Sequence, residues 1–306
     1  MTDTSQTPGP AVGRSRGRLW IAIAALMWST SGLFVKAPLF AGWPGPVLAF
    51  WRVAFASLIL LPLVRRPQWT LRLLPMLAVF AAMNWFYLSA MVETEVSNAI
   101  WLQYTAPVWV FLASALIFRE TIHRLDWMLL VFAILGVAFI VICEFQGESI
   151  RGVVFGLLSG LFFGGIAVSL RWLRDLESAW LVATSHLATA LVLSPYLAFY
   201  PQYWPRGEQW LFLAGLGMFQ LGLPYLLFAH GLKTVTSHEA SGIALLEPLL
   251  VPVWVFIAWR HTDSYTAPRW WTIVGGSLIL AGLVLRYAGQ WRRVRVERGK
   301  GRKVKT

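Results

Sequence analysis

Charge is scarce in this chain. Asp, Glu, Lys and Arg supply 13% of its 306 residues, where a soluble domain carries about 25%. With 58% apolar residues, that scarcity excludes an ordinary water-soluble enzyme. It excludes disorder too, since disorder requires low hydrophobicity. Cysteine is nearly absent. The lone Cys143 cannot form an intrachain disulfide or join a thiolate cluster for zinc or iron–sulfur. No glycine-rich phosphate loop with its lysine occurs, which argues against an ATP-driven pump. His238-Glu239-Ala240-Ser241-Gly242 lacks the second histidine of a zinc protease helix. The run Ser237-His238-Glu239 reads as a helix start, with Ser237 or His238 capping and Glu239 near the positive end. Triads are assembled by geometry rather than by adjacency. The sequence therefore predicts no catalytic residues, no metal site and no cofactor.

Long apolar runs fill the space that charge leaves. Ten segments are predicted to span a membrane, at 19–37, 44–63, 72–91, 98–118, 126–143, 152–171, 179–199, 209–229, 239–259 and 270–287. Each has close to the ~20 residues that a helix needs to cross hydrocarbon. The runs are continuous rather than alternating, so a β-barrel is excluded. The connectors are too short for a soluble domain. Residues 1–18 are expected to be a disordered cytoplasmic tail without a cleavage site, and 289–306 a basic cytoplasmic tail.

The net charge of +12 sits mostly at one end, with eight Lys/Arg and one Glu in residues 291–306. A basic tail directly after an apolar span reads as an anchor to anionic lipid, not as a nucleic-acid site. With the N-terminus inside, twenty Lys/Arg fall on inner segments and five on outer loops (Lys36, Arg151, Arg206, Arg260 and Arg269). This positive-inside bias predicts both termini in the cytoplasm and a multi-pass protein of the cytoplasmic membrane.

The two halves of the chain resemble each other. An offset of 141 residues carries Tyr87–Pro107 onto Phe228–Pro248, with Ala99 on Ala240 and Pro107 on Pro248. Near the half starts an offset of 135 carries Arg16-Gly17 onto Arg151-Gly152. Two five-helix repeats are predicted, 19–145 and 150–288. Five is odd, so the second enters from the opposite side. Inverted repeats of this kind build many secondary transporters, with the substrate near the midplane. A duplicated membrane scaffold without transport is the plainer alternative.

Leu26-Met27-Trp28-Ser29, Arg52, the Tyr87…Ala90…Ala99…Pro107 series, its second-half counterpart Phe228…Gly231…Ala240…Glu247-Pro248, and Gly275-Gly276…Ala281-Gly282 carry a family resemblance. The chain is similar to the drug/metabolite transporter superfamily in its EamA-type branch. The resemblance covers nearly all of the chain between the tails. It implies ten helices around a central cavity, with spans 5 and 10 away from it, and export of amino acids, other metabolites, toxic compounds or nucleotide sugars.

Charged groups at membrane depth are costly, so they are the first candidates for function. Glu247 is read as a substrate-ammonium or coupling-proton site, or else as a structural carboxyl. Arg52 is read as a partner for a substrate carboxylate, or as a helix-pairing arginine. His186 is a candidate for proton coupling, or a hydrogen-bonded core histidine. Trp28, Asn84, Tyr87, Trp101, Tyr104, Phe163 and Tyr225 are candidates to line a midplane cavity with aromatic walls and a few polar tips. With 18 Trp and 19 Phe in the chain, lipid-facing or interfacial roles compete for each ring. Gly156, Gly160 and Gly164 lie on one helix face and predict close helix packing.

The sequence thus predicts an all-α membrane secondary transporter of small organic solutes, amino acids or related metabolites first, working by alternating access as a monomer or homodimer. The competing expectations are an intramembrane enzyme on lipid-linked substrates and a nucleotide-sugar or drug carrier on the same fold.

Overall fold

A computed structural model describes residues 10–116, 124–144, 150–173, 175–235, 237–263 and 265–303. Among these residues every regular element is helical. The first half contains α1 (Pro10–Trp28), α2 (Ser31–Val35), α3 (Gly45–Leu60), α4 (Leu73–Glu93), α5 (Val96–Gln103), α6 (Ala106–Leu116) and α7 (Arg124–Glu144). The second half contains α8 (Ile150–Trp172), α9 (Ser178–Leu193), α10 (Pro195–Phe199), α11 (Gln209–Ala214), α12 (Leu223–Leu232), α13 (Ser237–Ala244), α14 (Leu246–Trp259) and α15 (Trp270–Lys303). A π-helical stretch, Gly215–Gly222, joins α11 to α12.

Eight described helical stretches are long and apolar enough to cross a membrane, from Ser15–Val35 to Trp270–Gly289. Trp127–Cys143 is apolar but shorter, and α5 and α6 are separate short helices. Large apolar side chains such as Ile134, Leu191, Leu211, Ile257 and Ile273 are exposed on the outside of the bundle, as expected of helices that lie in lipid.

Two expectations need adjustment. α1 begins at Pro10, inside the stretch expected to be a disordered tail. Proline suits a first helical turn, because its missing N–H is unsatisfied there anyway. The basic tail is an extension of α15 as far as Lys303, and its side chains from residue 290 lie outside the described residues. So do the side chains of Ser237, His238 and Glu239, although α13 does begin at Ser237.

The helices pair α4 with α8, α7 with α15, α1 with α12, and α3 with α9. The small residues of α8 lie on span 4. A Cβ on Gly160 would stand 2.6 Å from the Leu102 carbonyl oxygen and press on the Thr105 hydroxyl. Backbone cannot yield as a flexible side chain can. Gly160→Leu is therefore expected to cost about 3 kcal/mol, read as loss of the monodisperse peak in detergent size-exclusion chromatography.

Four helical breaks set the interior, and local chemistry explains three of them. At Ser29-Thr30 the hydroxyls accept no helix role. Instead Ser29 Oγ donates to Leu26 O and Thr30 Oγ1 to Met27 O, both at 2.6 Å, competing with the backbone ladder. Thr105 Oγ1 donates likewise to Leu102 O at 2.6 Å, just before Pro107. Pro248 has no N–H to offer the carbonyl four residues back, that of Ala244, and the chain breaks at Leu245 between α13 and α14. The fourth is the π-helical stretch.

Candidate functional site

The interior polar groups gather where these breaks meet. Arg52 projects from α3 with 5% of its surface exposed. Its Nε donates to Gln220 Oε1 at 3.0 Å, and its Nη1 reaches Asn84 Oδ1 at 3.4 Å. Its guanidinium also stands 5.4 Å from the Tyr87 ring centroid, a cation–π distance. Gln220 Nε2 donates to the Trp28 carbonyl at 3.0 Å. That carbonyl is free because α1 ends at Trp28. Asn84 Nδ2 donates to the Phe80 carbonyl of its own helix at 3.0 Å, which turns its oxygen towards Arg52.

The π-helical stretch is what delivers Gln220. Gly217 lies so close to α3 that a Cβ there would stand 2.6 Å from the Arg52 carbonyl oxygen and clash with Phe55. Glycine permits the contact, and the wider π turn aims Gln220 at Arg52. Such π segments recur at functional sites.

Aromatic rings continue the wall. Trp28 meets Tyr225 edge-on at 5.4 Å, Tyr225 meets His186 at 5.6 Å, and His186 meets Phe80 at 4.8 Å. His186 Nδ1 lies 2.8 Å from the Val182 carbonyl. A carbonyl only accepts, so Nδ1 carries a proton. Nε2 is buried and has no hydrogen-bond partner among the described residues.

Glu247 sits in the first turn of α14, where the positive helix end favours a carboxylate. Tyr104 Oη shares its proton between Glu247 Oε2 at 2.9 Å and the Ala244 carbonyl at 3.0 Å. The acceptor in the second case is the carbonyl that Pro248 frees. Tyr104 lies at the α5/α6 break and Ala244 at the α13/α14 break, so one hydroxyl ties the two together. Among the described residues neither Arg52 nor Glu247 stands in an ion pair.

The short α2 is strapped beside this cluster. Tyr87 Oη and Ser31 Oγ lie 3.2 Å apart. The indoles of Trp254 and Trp259 donate to Ser29 Oγ at 2.7 Å and to Leu33 O at 2.8 Å. Lys36 Nζ donates to Thr94 O at 3.1 Å.

Of the residues singled out from the sequence, the structure brings together Trp28, Arg52, Asn84, Tyr87, His186 and Tyr225, with Tyr104 and Glu247 adjoining. Two stand apart. Trp101 packs against Gly276 of α15, in the apolar cluster shared with α7. Phe163 is 38% exposed on the outer side of α8. Gln220, Ser31 and Trp254 belong to the gathering as well and are not among the residues that the sequence singles out. Gln220 shares with Asn84 the signal of a bare amide inside an apolar run.

The EamA-like transporter family profile matches residues 15–142 and again residues 150–288. An uncharacterized transporter of Archaeoglobus fulgidus is 28% identical over 89% of this chain and 96% of its own length. A pseudopaline exporter of Pseudomonas aeruginosa is 28% identical over 88% of this chain and 94% of its own. A crystal structure that covers 89% of this chain and 97% of its own superposes with a TM-score of 0.63 at 19% identity, a likeness of fold.

Proposed function

Because the chain belongs to the EamA-like transporter family, we propose that it exports small zwitterionic metabolites, amino acids or their relatives, across the cytoplasmic membrane by alternating access. It is a membrane transporter. The substrate, the direction and the mechanism are the proposal, and the observation that carries the substrate class is the pair of Arg52 and Glu247, each without an ion-pair partner among the described residues. Arg52 is buried and Glu247 half-buried, and a buried ion without a counter-ion costs several kcal/mol. A zwitterion bridging the two would bring both missing charges at once, its carboxylate to Arg52 and its ammonium to Glu247. Tyr87, Tyr104 and Tyr225 would line its path, with Asn84, Gln220 and Trp28 holding Arg52 in place and His186 behind them. Glu247 or His186 is the candidate for a coupling proton. The name of the pseudopaline exporter favours export.

The proposed architecture is ten spans in two inverted five-helix repeats, 19–145 and 150–288, with both termini cytoplasmic and the basic tail at the inner leaflet. The two profile matches support it. So do the paired breaks, since 141 residues separate Tyr104 from Leu245. Discontinuous helices facing each other at a repeat interface are where such carriers bind substrate. α2 would act as the outer gate, because its straps are few hydrogen bonds rather than continuous helix.

Counterflow in proteoliposomes tests the substrate class. Vesicles preloaded with mixed amino acids should take up labelled members, and should reject the same compounds as N-acetyl or amide derivatives. Equal uptake of the derivatives would remove the zwitterion reading.

A further inference from the structure

A cavity of about 420 Å³ opens between the connector that follows α3 and the one that follows α8. Arg65, Arg66 and Gln68 form one wall, and Asp175, Leu176 and Glu177 the other. Its walls are the connectors just beyond the ends of four spans, at Leu63, Leu73, Leu170 and Ser178. That places it at the depth of lipid headgroups.

The walls are fixed to each other. Glu177 Oε2 accepts the backbone N–H groups of Arg65 at 3.3 Å and Arg66 at 2.8 Å. Trp180 Nε1 donates to the Gln68 carbonyl at 3.0 Å, and Trp69 meets the Trp180 ring edge-on at 4.8 Å. With their N–H groups bound to Glu177, Arg65 and Arg66 retain free guanidinium groups. Neither is in an ion pair among the described residues. Asp175 meets Arg72 at a loose 3.7 Å, with both side chains more than half exposed, so it remains open to a second cation. The connector that supplies Arg65, Arg66 and Gln68 also carries apolar side chains, with Trp69 72% and Leu71 85% exposed. Leu74, on the first turn of α4, is exposed too.

We propose that this cavity holds the headgroup of a zwitterionic aminophospholipid, its phosphate between Arg65 and Arg66 and its primary ammonium at Asp175 and Glu177. A purely anionic headgroup would satisfy the arginines and leave two carboxylates facing it. A choline headgroup has no N–H to give them. Charge-assisted hydrogen bonds to phosphate and carboxylate supply the selectivity, and the exposed leucines and Trp69 give the acyl chains an apolar path. Free phosphoethanolamine shares the headgroup chemistry, but it would gain nothing from that path. Lipid binding at this cavity does not depend on what the carrier transports.

Native mass spectrometry of the delipidated full chain, titrated separately with phosphatidylethanolamine, phosphatidylcholine, phosphatidylglycerol and free phosphoethanolamine, tests it. Phosphatidylethanolamine should bind about tenfold more tightly than the other two lipids, and phosphoethanolamine should not compete with it. Arg65→Gln/Arg66→Gln should abolish the binding with the melting temperature unchanged, since the backbone contacts to Glu177 remain. Should that variant fold poorly, Asp175→Asn, which alters one exposed pair, should equalise phosphatidylethanolamine and phosphatidylcholine. Phosphatidylglycerol binding as tightly as phosphatidylethanolamine would overturn the proposal, leaving only a basic patch for anionic lipid. Equal binding of phosphatidylcholine, or of the free headgroup, would overturn it as well.

Discussion

Glu247→Gln is expected to fold like the native protein and to lose counterflow of zwitterions by about a hundredfold. The substitution keeps the side chain's size and a carbonyl oxygen for Tyr104 Oη, which now lies 2.9 Å from Oε2. The α13/α14 break does not depend on the carboxylate. It arises from Pro248, and the freed Ala244 carbonyl still accepts from Tyr104 at 3.0 Å. What disappears is the negative charge in the first turn of α14, and with it the partner for a substrate ammonium. Circular dichroism and size-exclusion profiles should match the native protein while uptake collapses. Native rates with native pH dependence would show that Glu247 is a structural carboxyl, the plainer alternative raised by the sequence.

The breaks in spans 4 and 9 were legible because their cause is written locally, in Pro107 and Pro248. The carboxylate and the guanidinium were legible because charge in an apolar run is conspicuous. Other features were hidden for reasons that can be named. The sequence pairs Trp28 with Phe163 through the 135-residue offset. The same offset sets Gly164-Gly165 against Ser29-Thr30, so the hydroxyls that break span 1 are missing from span 6. α8 accordingly runs unbroken from Ile150 to Trp172 and leaves Phe163 on its exposed side. Trp101 and Tyr104 are three apart and would share a face of a continuous helix. α5 stops at Gln103, between them, so Tyr104 turns to Glu247 while Trp101 faces α15.

The amide of Gln220 stands out in its apolar run, but the direction it faces is hidden by geometry. With 3.6 residues per turn, its direction follows from its neighbours. Within the π-helical stretch Gly215–Gly222 it does not. Whether the amide faces Arg52 depends on that added width, and on Gly217 resting against α3. Neither is evident from spacing in an apolar run.

The same hydrogen bonds define what Arg52 should do. Arg52→Gln is expected to lower uptake of zwitterions by about a hundredfold and to leave the melting temperature unchanged or raised. The second half of that expectation separates substrate binding from helix pairing. Arg52 is buried and has no counter-ion among the described residues, so its removal relieves a desolvation cost rather than breaking a favourable pair. The introduced amide keeps an N–H donor for Gln220 Oε1, now 3.0 Å from Arg52 Nε. Gln220 also keeps its own bond to the Trp28 carbonyl at 3.0 Å. If Arg52 binds the substrate carboxylate, the variant should lose its preference for an amino acid over the corresponding amide, because no cation remains to reward the acid. Arg52→Lys should recover only part of the uptake, since a lysine cannot hold a carboxylate in a planar fork. Competition between the labelled acid and its unlabelled amide in counterflow reads that preference directly. A variant that melts far lower yet keeps the native acid-over-amide ratio would make Arg52 a strut between α3 and the π-helical turn, and would leave the carboxylate of the substrate without its partner.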